Sequence, residues 1–156
     1  RLTRSRLARR NVVKVEELGS VDAATVAALQ RLIPQLSTSA PPVTAEILSA
    51  VLENPTTTVL VARDGERIVG TLTLVMFPVP TGLRAWIEDV VVDESVRGQG
   101  VGDLLTTAAL EKARHAGARS VDLTSRPSRE AAHRLYERVG FAVRETKVYR
   151  YSFDPQ

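Results

Sequence analysis

Asp93-Glu94-Ser95-Val96-Arg97-Gly98-Gln99-Gly100-Val101-Gly102-Asp103 is the stretch of this 156-residue chain whose spacing points most directly to chemistry. Glycine stands at every second position from Gly98 to Gly102, just after the run Val90-Val91-Val92. Apolar residues change there from a strand-like to a helical period. Glycines at such a junction let backbone N–H groups turn inward and approach a guest with no Cβ in the way. The starting helix adds unpaired N–H donors and the positive end of its dipole. The natural guest is an anion, above all a phosphate or pyrophosphate, and Arg97 adds a fork-shaped cation at the lip.

Three phosphate-binding patterns compete for this loop. A P-loop requires Gly-Lys followed by Ser or Thr, which is absent. A dinucleotide fingerprint requires Gly-x-Gly-x-x-Gly, whereas the order here is Gly98-x-Gly100-x-Gly102, and Asp122 stands inside a strand-like run rather than at its end. Arg-x-x-Gly-x-Gly, read from Arg97 to Gly102, remains, with a glycine-rich turn that holds no ligand as the plain alternative.

That last pattern resembles motif A of the GNAT acetyltransferase superfamily, and a second block agrees with it. Ala132-x-x-Leu135-Tyr136-Glu137-Arg138-x-Gly140-Phe141 is similar to the family's A-x-x-L-Y-E-K-x-G-F segment, in the family's order. The resemblance covers residues 85–141 and implies acetyl-CoA as acyl donor, with no metal. It implies that backbone groups of Val90, Val91 and Val92 hold the pantetheine arm. The pyrophosphate would rest on Arg97, Gly98, Gln99, Gly100, Val101, Gly102 and Asp103, and Tyr136 would donate a proton to the departing thiolate. A phenol of ordinary pKa near 10 suits that last task. Many family members carry Asn where this chain has Arg129, so that cofactor contact is not carried over; Arg126 and Arg129 can instead meet phosphate.

An amine attacks a thioester only as the neutral base, so a carboxylate or a carboxylate-held water is needed to remove a proton. Glu88-Asp89, just before the valine run, is the best-placed acidic pair. Strict strand alternation puts the two on opposite faces, and Glu88 is the favoured base. The chain has no cysteine, so an acyl-cysteine intermediate is excluded and direct attack in a ternary complex is expected. With only His115 and His133, a histidine-built zinc site is disfavoured.

The elements that must position these residues follow from periodicity and punctuation. Strands are expected at 11–17, 57–62, 67–77, 85–92 and 120–124, with Asp64-Gly65 as a hairpin turn and a breaker cluster at 78–82. Helices are expected at 21–33, closed by Pro34, around Ile47 to Leu52, from Val101 to about Ala116, and behind Ser128 as N-cap with Gly140 past the end. Closing strands at 141–143 and 147–153 complete a mixed, mostly antiparallel α/β (α+β) sheet of six to seven strands with about four helices on its faces, as the resemblance implies.

Composition bounds the remainder. At 44% hydrophobic and 25% charged, the chain suits one globular domain at 11–156 behind a basic, flexible tail at 1–10. No apolar run reaches membrane-span length, and no secretory h-region is evident. The net charge of +3 is uneven: residues 1–10 carry five arginines and no acid, residues 11–96 hold 5 basic and 11 acidic side chains, and residues 97–150 hold 11 basic and 6 acidic ones. A basic cofactor half thus faces an acidic acceptor half, which favours a cationic amine over an anionic one and counts against a sugar phosphate; nucleic acid is not expected as partner. The acceptor is expected to be a small-molecule amine or a protein amino group, in a cytoplasmic protein, with a homodimer left open. A non-catalytic acyl-CoA-binding or sensory module, and an amino-sugar-phosphate acetyltransferase, are the alternatives.

Overall fold

The computed structural model describes residues 12–154; the arginine-rich tail at 1–10 lies outside them. The chain divides into two compact units, the first ending at Thr124 and the second starting at Ser125.

The first unit is built on five strands in the order β1 (Lys14–Glu17), β2 (Thr57–Asp64), β3 (Arg67–Val79), β4 (Gly82–Val92) and β5 (Val121–Asp122). Neighbours from β1 to β4 run antiparallel, and β5 joins β4 in parallel. The β2–β3 turn falls where Asp64-Gly65 predicts it, one residue on: Asp64 still pairs with Arg67, and Gly65-Glu66 make the turn with a positive φ of 63° on Gly65. The breaker cluster at 78–82 is narrower than expected: pairing continues to Val79 opposite Gly82, so β3 and β4 form a long hairpin with Pro80-Thr81 at its tip.

Helices α1 (Ala23–Leu36) and α2 (Ala45–Glu53) cover one sheet face. Each starts on a side-chain cap: Asp22 accepts from the Thr25 amide at 2.7 Å, and Thr44 from the Ile47 amide at 3.1 Å. Pro34 does not end α1. The helix runs one turn further, because the Ser37 amide still reaches the Ile33 carbonyl at 3.0 Å and only the Gln30 carbonyl loses its intrahelical donor to the proline. Leu29, Leu32 and Leu48 pack with Val59, Val61, Ile68 and Val91 into the core on this side.

Helix α3 (Val101–His115) lies on the other face, seated on Gly70 of β3. A Cβ at Gly70 would stand 3.0 Å from Leu105 Cδ1, 3.1 Å from Val101 Cγ1 and 3.2 Å from the Val91 carbonyl oxygen. The missing side chain therefore sets how closely the first turn of α3 approaches the sheet. That contact fixes the height of the glycine loop that opens the helix.

The second unit contains α4 (Glu130–Val139), which starts later than Ser128 as N-cap would require. Arg129 is the capping residue and gives no side-chain cap, while Ser128 lies in the preceding turn. Gly140 ends the helix as expected, at φ 117°, with the Gly140 and Phe141 amides donating to the Tyr136 carbonyl at 3.1 and 2.9 Å. The two closing strands are absent among the described residues: 141–154 forms no ladder, and Val143, Val148, Tyr149, Tyr151 and Phe153 are exposed. Alternating apolar residues make a strand only beside a partner edge, and none pairs with them here. Among the described residues the sheet therefore has five strands rather than six or seven.

Candidate functional site

The fourth strand carries the irregularity on which the site depends. Gly70 pairs with Val92 and Thr71 with Val91, but Thr73 pairs with Glu88. Two steps along β3 thus face three along β4, which places an extra residue at Asp89-Val90. Asp89 takes φ +50°, the only non-glycine residue with positive φ among those described. Such a bulge bends its strand and interrupts alternation.

Its consequence is that the regular alternation expected of Glu88 and Asp89 is interrupted at Asp89. Both side chains are exposed, and the phase of the strand inverts between them and the buried Val90 and Val91. Glu88 lies opposite Thr73, which lies opposite Val59, so Glu88 belongs to the face covered by α1 and α2. Partial burial pushes the Glu88 carboxyl above its ordinary pKa, and the neighbouring Asp89 charge pushes it the same way.

The other edge of β4 is open at the same point. β5 pairs only with Ala85 and Trp86, and beyond Trp86 no strand among the described residues continues along that edge. Alternate residues of the Val90-Val91-Val92 run thus turn backbone groups to an unpaired margin, where an extended ligand can add like a strand.

Past Val92 the chain makes a 3-10 turn at Glu94–Val96 and enters the glycine loop. Gly98 and Gly100 adopt φ 77° and 82°, and a Cβ added at either would meet nothing within 4 Å. Their requirement is for left-handed backbone beside open space, not for close packing. Gly100 caps α3 without a side chain, so no side-chain oxygen competes for the helix's first amides. Gly102 lies inside the first turn, its carbonyl accepting from Thr106 Oγ1 at 2.7 Å. Arg97 folds back so that its Nε donates to the Val92 carbonyl at 3.3 Å, tying the loop to the open strand edge. The exposed Gln99 tops the loop, and Val101 is buried beneath it.

Asp93 opens the same stretch and has a role that the glycine spacing does not reveal. It is 3% exposed and accepts at Oδ1 from the Ser95 amide and hydroxyl, both at 3.1 Å. Its Oδ2 receives Arg31 Nε at 3.3 Å and Arg67 Nη2 at 3.4 Å. Arg31 also donates to the Ile68 carbonyl. One carboxylate therefore fastens the loop's entrance to α1 and β3. The available signal was Asp93-x-Ser95, the pattern of an Asx turn. The Ser95 amide bond holds the Asp93 pKa below the usual carboxylate range, and Arg31 adds to this. Ionised Asp93 stabilises the fold above the ordinary aspartate pKa, and that increment vanishes as pH falls through the lowered folded value. Asp93→Ala should lower stability at pH 7 by about 2 kcal/mol, or roughly 6 °C in Tm. The difference from the parent should shrink on acidification below about pH 4. Equal Tm values at pH 7 would remove Asp93 as the anchor.

Tyr136 stands in the second unit on α4, 8% exposed, with its ring edge-to-face against Phe141 at 5.8 Å. Burial pushes its hydroxyl pKa up, against a smaller opposing pull from Arg129. The phenol is held in its protonated form. Among the described residues no cluster of three or more His, Asp or Glu side chains could hold a metal ion, and no helix is long and apolar enough to cross a membrane.

N-alpha-acetyltransferase 30 of Schizosaccharomyces pombe is 35% identical over 92 residues, 58% of this chain and 61% of that protein. Glucosamine 6-phosphate N-acetyltransferase of Trypanosoma brucei brucei is 41% identical over 85 residues, 53% of this chain and 56% of that one. The chain thus spans little more than half the length of these curated relatives. A putative acetyltransferase from Agrobacterium tumefaciens superposes with a TM-score of 0.79 at 28% identity, covering 89% of this chain and 99% of its own. The profile of the acetyltransferase (GNAT) family matches residues 26–141, taking in the bulged strand, the glycine loop and the Tyr136 helix, and the chain belongs to that family.

Proposed function

We propose that this chain is an acetyl-CoA-dependent N-acetyltransferase that acts on a primary amine by direct attack. The observation that carries it is the pairing of two features in one unit: an unpaired β4 edge at Val90 to Val92, and an uncapped helix start behind Gly98 and Gly100. The first suits an extended amide-bearing arm and the second a pyrophosphate.

Bound acetyl-CoA supplies an activated acetyl group, whose C–S bond breaks as the amine's C–N bond forms. The margin of β4 binds and aligns, and its N–H groups offer donors toward developing charge on the acetyl oxygen. The loop amides, with Arg97 beside them, hold the phosphates. Glu88 accepts the proton lost from the amine nitrogen; its raised pKa brings it nearer to the range of a useful base. Tyr136 holds a proton at Oη for the leaving sulfur, which balances the exchange.

The test is a thermal-shift series followed by a free-thiol assay. Millimolar acetyl-CoA should raise Tm by several degrees, and NAD or ATP should not. Thiol release should then depend on added amine. Stabilisation without release by any amine would turn the reading into a non-catalytic acyl-CoA-binding module; no stabilisation would overturn it.

A further inference from the structure

The long β3–β4 hairpin extends the surface beside Glu88 with residues that the acetyl-transfer reading does not use. Three cross-strand pairs lie in line on one face: Thr73 with Glu88, Val75 with Trp86, and Phe77 with Arg84. Residues directly opposite in an antiparallel pair share a face, and alternate residues along each strand continue it. Val75, Phe77 and Trp86 are each partly exposed and stand outside the core cluster under α1 and α2, so a contiguous apolar strip keeps an accessible margin on that face. At one end stand Glu88 and, in the bulge, Asp89; at the other stands Arg84, whose Nη2 donates to Thr81 Oγ1 at 3.2 Å.

The spacing gives the strip a polarity. Trp86 lies two residues from Glu88, about 6.6 Å along the strand, and Arg84 lies four residues away, about 13 Å. The carboxylate end attracts one ammonium group. The partly exposed indole and phenyl rings favour an apolar or aromatic body over a hydrated one. Arg84 opposes a second cation at the far end and disfavours a polycation lying along the strip.

We infer that the Glu88–Trp86–Phe77 strip is the acceptor subsite, and that it selects a primary monoamine bearing an aromatic group on a short alkyl spacer. This rests on the acetyl-transfer reading for its chemistry, but not for its binding measurement. Trp86 is the single tryptophan of the chain, so intrinsic fluorescence reports on the strip directly. Titration with 2-phenylethylamine should give a saturable change in emission. Its Kd should be about tenfold below that for ethanolamine, and below those for neamine and glucosamine 6-phosphate. In the thiol-release assay, Trp86→Ala should raise KM for 2-phenylethylamine about tenfold while moving kcat less, and Trp86→Phe should recover most of the loss. Phe77→Ala, read through the Trp86 emission, should weaken the same amine severalfold and so guards against misfolding of the Trp86 variant.

An absent or unsaturable response to 2-phenylethylamine would overturn the inference, as would tighter binding of neamine or glucosamine 6-phosphate. A saturable response without thiol release from any amine would sustain the subsite and overturn the catalytic reading alone.

Discussion

Gly100→Val is expected to raise the Kd for acetyl-CoA by about tenfold or more, with a much smaller effect on the fold. Gly100 holds φ 82° and ψ 10°, and a β-branched residue in that left-handed well costs about 1–2 kcal/mol. No protein atom lies within 4 Å of the position a Cβ would take, so the cost is conformational and not a clash within the chain. The strained loop relieves itself by moving the amides at the start of α3, and the new side chain projects into the space beside them. Both effects weaken an anion seated on those amides, and 1.4 kcal/mol is already a factor of ten. Gly117→Val is the control. Gly117 follows the C-terminus of the same helix at φ 91°, again with open space around it. It should cost comparable stability in a melt and leave the Kd within about twofold. A similar rise in Kd for both variants, or none for Gly100→Val, would show that the pyrophosphate does not rest on this loop.

That contrast also shows what the sequence made legible. Gly98 and Gly100 could be read directly, because alternating glycines between a valine run and a helical period have few structural uses. Gly140 was equally readable as a helix stop, and Asp64-Gly65 as a hairpin turn. The bulge at Asp89-Val90 was not. Ile87 to Val92 reads as a smooth strand, and the register that displaces it by one residue is set by β3 across the ladder. For the same reason the relation of Glu88 to Asp89 could not come from alternation alone. Asp93 was hidden because its partners, Arg31 and Arg67, are remote in sequence and meet it only once α1 and β3 are packed. Pro34 misled because a proline near a helix end spares the final turn. The alternating apolar residues from Lys147 to Phe153 misled because periodicity describes a strand's faces and says nothing about whether an edge is there to receive it.

Tyr136→Phe is expected to lower kcat by about 100-fold while leaving the Kd for acetyl-CoA within about twofold. The size follows from removing one positioned proton donor. The selectivity follows from the geometry on α4. Loss of the hydroxyl leaves the ring, its edge contact with Phe141 and the helix stop at Gly140 in place, so the second unit keeps its packing. The pH dependence separates this role from a purely structural one. Burial raises the Tyr136 pKa above the ordinary tyrosine value, so the phenol stays protonated throughout the neutral range and begins to lose its proton only above about pH 10. The same shift is a stability statement: burial of the neutral phenol carries no charge penalty below the unfolded pKa, and the penalty enters as pH rises past it. The parent enzyme should therefore lose kcat on the alkaline side above pH 10, and Tyr136→Phe should lack that limb while remaining slow at every pH. If Tyr136 were only a core ring, kcat would be nearly unchanged and both proteins would share one alkaline limb. If the hydroxyl instead held the cofactor, the loss would appear in Kd and not in kcat. A 100-fold fall confined to kcat, together with the vanished limb, is the one pattern that requires the proton on Oη.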